Sequence, residues 1–311
     1  ITMFAACMPQ QDILNMPTSS AIDRIRVVDG PGPIDPEREG AANAPSLSRF
    51  TPAPEPNSKT ALAVSGLGKT YTGQTGSNTV LRDVSFAINA GDSVAIVGAN
   101  GSGKSTALRC AMRLIEPTTG EIHVDGCPLM GLSGQALRQA RSKVGFVFQK
   151  HNLSTRLSVL SNVLHGGFAR GRGMRNWSHS IAPAEERDRA MDCLDQVGLA
   201  DLAGRRADRL SGGQSQRVAI ARALMQGPSM IFADEPAASL DPKAGEDMMA
   251  LFSDLCRRTG LTLVVVSHNL EHALSYADRL IGLQAGCVVL DRETRGVSRD
   301  DLAWLYEETG A

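Results

Sequence analysis

Short apolar runs separated by longer amphipathic stretches recur along the chain from about residue 60 onward. Four of the runs are nearly continuous in apolar residues, and each is followed by a glycine or a polar residue; they cover residues 94–97, 144–148, 230–233 and 261–266. Continuous apolar runs of this length are typical of strands that are buried on both faces. Together with the helical patterns between them, they predict an α/β core.

A different pattern precedes the first of these runs. Val84, Phe86 and Ile88 are apolar and their neighbours are mostly polar, an alternation that predicts a half-buried strand. Another strand is expected to begin at residues 61–64. Because half-buried alternation is characteristic of antiparallel sheets, we expect a small antiparallel sheet ahead of the main core.

The segment from residue 150 to 207 has a helical rather than a strand-like period. Apolar residues lie three and four positions apart, which places them on one face of a helix. The residues that carry this spacing are Leu157, Leu160, Val163 and Leu164. The pattern predicts a helical segment inserted between two strands of the core.

The first 58 residues differ in composition from the rest of the chain. Residues 1–58 are rich in Pro, Ala, Ser, Asn and Asp and hold no sustained apolar period. Such a segment cannot bury enough apolar surface to offset the entropy of ordering it, so we expect a mostly disordered arm. The folded domain is then predicted to cover residues 59–311.

Charge and cysteine content exclude several kinds of function. The net charge is −1 and the sequence pI is near 6.7, so nothing in the totals favours nucleic acid as a partner. The six cysteines include no Cys-x-x-Cys pair, which argues against a zinc site or a disulfide framework. No apolar run approaches the roughly 18 residues that cross a bilayer. We therefore expect free thiols and no membrane span.

The chemistry is concentrated in the glycine-rich stretch that follows residues 94–97. It has the phosphate-binding pattern Gly-x-x-x-x-Gly-Lys-Ser/Thr between a predicted strand and a predicted helix. Glycines allow the backbone N–H groups to approach phosphate oxygens, and the helix dipole favours the same anion. Lys104 is predicted to contact the β- and γ-phosphates, and Ser105 to ligate Mg²⁺. Thr106 follows without a separate role. The chain is thus predicted to bind a nucleoside triphosphate.

Polar side chains end three other predicted strands of the core. Asp234 and Glu235 follow one of them, and adjacent buried carboxylates there suit water-mediated Mg²⁺ binding by Asp234 and activation of water by Glu235. Gln149 and His268 follow the other two strands, where side chains face the ligand crevice of an α/β sheet. His272 lies four residues after His268, but the residues between them match no zinc-protease helix.

The Ser-Gly-Gly segment and Tyr71 each have both a structural and a functional interpretation. Ser211, Gly212 and Gly213 precede an amphipathic helix, so they form either a simple helix start or a second anion-binding terminus. The ring of Tyr71 either packs against the protein or stacks on a nucleotide base.

Taken in order, these motifs make residues 60–311 resemble the nucleotide-binding subunit of an ATP-binding cassette transporter. The resemblance implies a P-loop NTPase core with a parallel sheet, a small antiparallel β-subdomain and an inserted helical subdomain at about residues 150–213. It implies ATP and Mg²⁺ as ligands and favours base stacking for Tyr71. The residues that it assigns to catalysis are Glu235, His268 and Gln149. Those that it assigns to Mg²⁺ are Ser105, Gln149 and Asp234. Those that it assigns to the nucleotide are Tyr71, Gly98, Asn100, Gly101, Ser102, Gly103, Lys104, Ser105, Thr106, Ser211, Gly213, Gln214 and Asp241.

The resemblance also implies partners. In that family, ATP is held between the phosphate loop of one subunit and the signature motif of another, here residues 210–214. Because the chain has one copy of each, a head-to-tail homodimer with two ATP sites is expected. Integral membrane permease subunits and, indirectly, a solute-binding protein are further expected partners. The expected location is the cytoplasmic face of the inner membrane.

Residues 152–166 and 233–242 narrow the resemblance to the phosphonate importer ATPases, which predicts uptake of phosphonate or a related phosphorus oxyanion. Importers of amino acids or metals share much of this pattern and remain alternatives. An exporter or lipoprotein-release ATPase is a further alternative. A soluble cassette protein that acts on DNA or ribosomes is less favoured, because the chain has neither a second cassette nor a long coiled-coil insertion.

Overall fold

The computed structural model of the protein describes residues 59–73, 76–170 and 179–306. The arm predicted for residues 1–58 lies outside the described residues. The strands, in chain order, are β1 (Thr60–Gly73), β2 (Gly76–Asn89), β3 (Ser93–Val97), β4 (Thr119–Val124), β5 (Cys127–Pro128), β6 (Val144–Val147), β7 (Met230–Asp234), β8 (Thr262–Val266), β9 (Arg279–Gln284) and β10 (Cys287–Glu293).

Helices connect most of these strands. The α-helices are α1 (Lys104–Ala111), α2 (Gly134–Ser142), α3 (Val159–Leu164), α4 (Ala184–Gln196), α5 (Gly212–Met225), α6 (Pro242–Thr259) and α7 (Leu270–Tyr276). Short 3₁₀ helices occupy His165–Arg170, Ala200–Leu202, Ala207–Arg209 and Asp300–Tyr306. Across the described residues, no helix is long and apolar enough to cross a membrane.

The strands form two sheets. The larger one has the order β10-β9-β3-β8-β7-β6, in which the five strands from β9 to β6 are parallel and β10 is antiparallel to β9. The smaller one has the order β2-β1-β4-β5 and is antiparallel throughout. This arrangement confirms the predicted α/β fold with a parallel sheet and a small antiparallel sheet.

Both faces of the larger sheet are covered, which explains the continuous apolar runs. Phe232, Val264 and Ile96 on one face share a core with α1 and the antiparallel sheet. Ile231 and Val265 on the opposite face share a second core with α3, α4, α5 and α6. Alternate residues of β7 therefore belong to different cores. A strand with polar residues along one face would bury them, so it could not replace β7 in the centre of this sheet.

Helices α3 and α4 lie between β6 and α5, in the segment where a helical insertion was expected. Val163 of α3, Leu194 of α4 and Ile220 of α5 are fully buried in one cluster. This cluster also includes Ile231 of β7, so these helices share a core with the sheet. Whether residues 150–213 form a separate subdomain stays a prediction.

Buried thiols make the stability of the fold dependent on pH. Burial raises the pKa of the Cys256 thiol to about 12 and that of Cys110 to about 11, above the ordinary value of 9.0. The five cysteines in the described residues form no disulfide. Because thiols of the unfolded chain ionise near pH 9 while these stay protonated in the fold, stability is full below pH 9 and falls as pH rises.

We therefore expect removal of the Cys256 thiol to flatten the loss of stability at high pH. In urea unfolding, the wild-type free energy of unfolding should fall between pH 9 and pH 10.5 by about 1.5 kcal/mol more than that of Cys256→Ala. The comparison uses the change with pH, so the cavity left by alanine cancels. Equal pH dependence in the two proteins would show that Cys256 does not remain protonated in the fold.

Candidate functional site

The glycine-rich loop after β3 has a backbone that only glycine permits at two of its positions. Gly98 has φ 143°, and a Cβ there would lie 2.1 Å from the carbonyl oxygen of Leu283. Gly103 has φ 100°, and a Cβ there would lie 2.8 Å from Cδ2 of Leu81. The loop is therefore packed against β9 on one side and β2 on the other. Helix α1 begins directly after it, at Lys104.

Lys104, the first residue of α1, folds its side chain back over this loop. Its Nζ donates to the carbonyl oxygens of Gly98 and Ala99, both at 2.8 Å. Burial lowers the pKa of Lys104, while the nearby carboxylates of Glu235 and Asp234 raise it in part. A partly desolvated ammonium beside the backbone N–H groups of a glycine-rich loop is well suited to binding an anion.

The buried carboxylate of Asp234 lies at the end of β7, next to this helix. Its Oδ1 accepts a hydrogen bond from the Ser105 hydroxyl at 2.6 Å. Its Oδ2 accepts from Nε and Nη2 of Arg109 at 3.2 and 2.9 Å. Every oxygen of this buried group is thus partnered, as burial of a carboxylate requires.

The oxygens of Ser105 and Asp234 also meet the requirements of Mg²⁺. A hydroxyl and a carboxylate are hard oxygen ligands of the type that Mg²⁺ prefers, and Mg²⁺ sites usually keep several waters. In the described part of the chain, no group of three or more His, Cys, Asp or Glu side chains forms a metal-binding cluster. The donor set therefore suits a phosphate-associated Mg²⁺ rather than a fully protein-ligated ion.

Glu235 occupies a strained backbone position immediately after Asp234. Its φ is 51°, an unusual value for a residue with a Cβ. Its N–H donates to the carbonyl of Val266 at 3.0 Å, which ties the turn to β8. Nδ1 of His268 lies 3.7 Å from Oε2 of Glu235. Because β7 and β8 are adjacent, residues from two separate strands meet at this point.

Gln149 and Tyr71 are exposed. Gln149 lies two residues beyond β6, which pairs with β7, so it belongs to the same edge of the larger sheet. Tyr71 lies near the end of β1 in the other sheet and is 42% exposed. Nζ of Lys69 is 4.7 Å from the centre of the Tyr71 ring, a cation–π contact.

The Ser-Gly-Gly segment begins a well-capped helix. The hydroxyl of Ser211 accepts from the N–H of Gln214 at 3.2 Å, and Oε1 of Gln214 accepts from the N–H of Ser211 at 3.0 Å. These reciprocal bonds form a capping box at the start of α5. Asp241 likewise caps α6, because its Oδ1 accepts from the N–H of Ala244 at 3.0 Å.

The structure brings only part of the predicted site together. The loop and the first turn of α1 contain Gly98, Asn100, Gly101, Ser102, Gly103, Lys104, Ser105 and Thr106. At the ends of the neighbouring strands β6, β7 and β8, or within two residues after them, lie Gln149, Asp234, Glu235 and His268. In the described part of the chain, the hydrogen bonds of Ser211, Gln214 and Asp241 stay within their own helix starts. Gly212 instead faces Leu240, with 3.4 Å between its ideal Cβ and Cδ2.

Arg109 also contacts this site, although no motif in the sequence predicts it. It lies four residues after Ser105, so both side chains project from the same face of α1. That spacing is visible in the sequence, but Asp234, the partner of Arg109, is on β7, far along the chain. The spacing alone indicates that Ser105 and Arg109 could bind the same group, but it does not identify that group.

Comparison with known proteins identifies the family. The family model for ABC transporters matches residues 81–238, about half of the chain. The chain belongs to the ABC transporter family. This membership confirms the resemblance drawn from the motifs, and the ABC protein is an ATP-binding ATPase.

Curated relatives of this ABC ATPase cover most of its length. The phosphonates import ATP-binding protein PhnC of Nitratidesulfovibrio vulgaris is 46% identical over 227 residues, which cover 73% of this chain and 85% of that protein. The phosphate-import ATP-binding protein PhnC of Mycolicibacterium smegmatis is 45% identical over 241 residues, which cover 78% and 91%.

Solved structures agree with the fold of the ABC ATPase. A dimeric ATP-binding cassette in a post-hydrolysis state, bound to ADP and Pi, matches with a TM-score of 0.66 at 37% identity. The match covers 76% of this chain and all of that one. An ATP-binding cassette in its ADP conformation matches with a TM-score of 0.68 at 27% identity, over 79% of this chain and 98% of that one.

Proposed function

We propose that this ATPase is the energy-supplying subunit of an importer for phosphonate or a related phosphorus oxyanion. The observation that carries the proposal is the similarity, at 41–46% identity and over most of their length, to several phosphonates import ATP-binding proteins. Residues 152–166, which resemble the same segment of the phosphonate importer ATPases, also support the proposal. One relative of similar identity is named as a phosphate-import protein, so phosphate is a second candidate solute.

In the proposed reaction, the glycine-rich loop and Lys104 bind the β- and γ-phosphates of ATP. Ser105, Asp234 and Gln149 would hold Mg²⁺, which when bound neutralises phosphate charge. Glu235 would orient the attacking water and accept its proton as the water oxygen bonds to the γ-phosphorus and the bond from this phosphorus to ADP breaks. His268, whose ring lies beside that carboxylate, would contact the γ-phosphate. Tyr71 offers an exposed aromatic surface for the adenine.

The proposed active unit is a head-to-tail pair of chains. Ser211, Gly213 and Gln214 present the N-terminus of α5, with Ser211 and Gly212 exposed. A helix N-terminus attracts anions, and here it would contact the ATP bound by the second copy. Asp241 lies on the adjoining turn. Closing and opening of this dimer would move the helices of membrane permease subunits at the cytoplasmic face of the inner membrane, with a solute-binding protein supplying the solute.

Ser211→Asp separates the helix-capping role of Ser211 from its proposed contact with phosphate. Aspartate caps helices as well as serine does, so the melting temperature should stay near that of the wild type. A carboxylate facing the γ-phosphate should repel it, so ATPase activity should fall more than about tenfold. Ser211→Ala, which loses the cap without adding charge, is the matched control and should lose about 1 kcal/mol of stability.

Melting curves and steady-state ATPase assays measure both effects. Full activity in a stably folded Ser211→Asp protein would contradict the proposed contact with the partner's nucleotide, since the charge would then have no phosphate to repel.

The transport role is tested by purification from membranes. The tagged chain is isolated with its partners, these are identified by mass spectrometry, and ATPase activity is measured with binding protein loaded with phosphonate or with phosphate. We expect a permease to co-purify and phosphonate to stimulate hydrolysis more than phosphate does. Stronger stimulation by phosphate would favour the second candidate. Recovery of ribosomal or DNA-repair proteins without a permease would overturn the transport proposal and leave the ATPase.

A further inference from the structure

Arg109 has no part in the reaction described above, yet it lies against one of its central groups. Its Nε and Nη2 donate to Oδ2 of Asp234 at 3.2 and 2.9 Å. The Ser105 hydroxyl donates to the other oxygen, Oδ1, at 2.6 Å. The Asp234 side chain is only 2% exposed, whereas that of Arg109 is 41% exposed. A surface-accessible guanidinium therefore holds one side of a buried carboxylate.

Both partners of this carboxylate come from one face of one helix. Ser105 and Arg109 are four residues apart on α1, and residues at this spacing are neighbours on a helix surface. Because Nε and Nη2 of the planar guanidinium both donate to Oδ2, two charge-assisted hydrogen bonds hold this oxygen in place. The remaining oxygen, Oδ1, is consequently directed toward Ser105.

We propose that Arg109 is a positioning residue that orients Asp234 so that Oδ1 is presented to the Mg²⁺ position beside Ser105. This inference rests on the proposed assignment of Ser105 and Asp234 to Mg²⁺. Groups that hydrogen-bond to metal-ligating carboxylates orient the ligand, and their loss typically lowers metal affinity about 10–100-fold. A lysine would not reproduce the paired N–H donors that Arg109 directs at Oδ2, because its ammonium is a compact point charge without a fixed planar fork.

The direct test measures the Mg²⁺ dependence of nucleotide binding, separately from catalysis. Binding of a fluorescent ATP analogue is titrated with Mg²⁺ in the wild type and in Arg109→Gln. We expect the Mg²⁺ midpoint to rise about tenfold in the variant, with unchanged binding in EDTA and a near-normal kcat at saturating Mg²⁺. Arg258→Gln removes an exposed arginine that pairs with Asp254 on α6, and it should leave the midpoint unchanged.

Arg109→Lys provides the graded comparison and covers the case in which Arg109→Gln does not fold. Lysine keeps a cation near Asp234 but not the paired N–H groups, so the Mg²⁺ midpoint should rise several-fold. A wild-type midpoint in Arg109→Lys, when Arg109→Gln is unfolded, overturns the inference. A purely structural role would lower the melting temperature of Arg109→Gln without moving the midpoint, and that result overturns it too.

Asp234→Asn distinguishes failure of this inference from failure of the proposed site. If the midpoint rises in Asp234→Asn but not in Arg109→Gln, Asp234 serves the metal without help from Arg109, and only the present inference fails. If Asp234→Asn leaves the Mg²⁺ midpoint unchanged, the assignment of Asp234 to Mg²⁺ is wrong, and the role of Arg109 falls with it.

Discussion

Glu235→Gln should slow ATP hydrolysis by about 10²–10⁴-fold while ATP binding persists. The glutamine amide is nearly isosteric but cannot accept a proton from water at neutral pH. The strained backbone at Glu235, with φ 51°, places the side chain beside His268 at the end of β8. Strain of this kind persists where the surrounding structure enforces it, and it is common at active sites. Phosphate release measures turnover, and equilibrium binding of ATP measures affinity.

The matched control is Glu271→Gln. Glu271 is exposed and pairs with Arg299 on the surface, so its loss should leave turnover unchanged. Because ATP stays bound and uncleaved in Glu235→Gln, we also expect ATP to convert this variant to a stable dimer on gel filtration. Turnover at the wild-type rate in Glu235→Gln would remove Glu235 from the reaction. Slow turnover without tight ATP binding would instead indicate damage to the loop.

Lys104→Ala should weaken ATP binding about 10–100-fold, the loss expected for a charge-assisted hydrogen bond in a partly desolvated site. Nζ of Lys104 donates to the carbonyl oxygens of Gly98 and Ala99. These bonds keep the ammonium at the loop although burial lowers its pKa. Isothermal titration with ATP measures the affinity directly.

A second lysine provides the control for loss of charge. Lys143 pairs with Asp125 on the surface and is 45% exposed, so Lys143→Ala should bind ATP normally. Far-ultraviolet circular dichroism would establish that both variants keep their secondary structure. Normal ATP affinity in Lys104→Ala would show that the backbone N–H groups of the loop suffice for the phosphates, and would reduce Lys104 to a loop-stabilising role.

Hydrogen bonds hold the charged groups of the site in defined orientations. Lys104 and Arg109 come before and after Ser105 in α1, Asp234 is the last residue of β7, and Glu235 follows it directly. Each cation is held by hydrogen bonds to carbonyls or to a carboxylate. Charges with fixed orientations are the usual source of electrostatic stabilisation in phosphoryl transfer.

The sequence by itself determined the features that depend on local spacing. The phosphate loop is recognisable because the strand, the glycines, the lysine and the helix are contiguous in the sequence. The glycines of the loop permit the backbone conformation that it adopts. The strand ends are recognisable because Gln149 and Asp234 directly follow an apolar run and His268 follows one after a single serine. Side chains that follow parallel strands share one edge of the sheet, so the composition of the site follows from the α/β pattern.

Only the tertiary structure decided which side chains meet. The order β3-β8-β7-β6 is not the chain order, and it is this order that places His268 beside Glu235 and brings Asp234 to α1. The pairing of Arg109 with Asp234 is equally non-local, since the helix spacing gives a direction but no partner. Contacts of this kind depend on how sheets and helices pack their apolar faces. That packing is a property of the whole core and has no signature in any single stretch of residues.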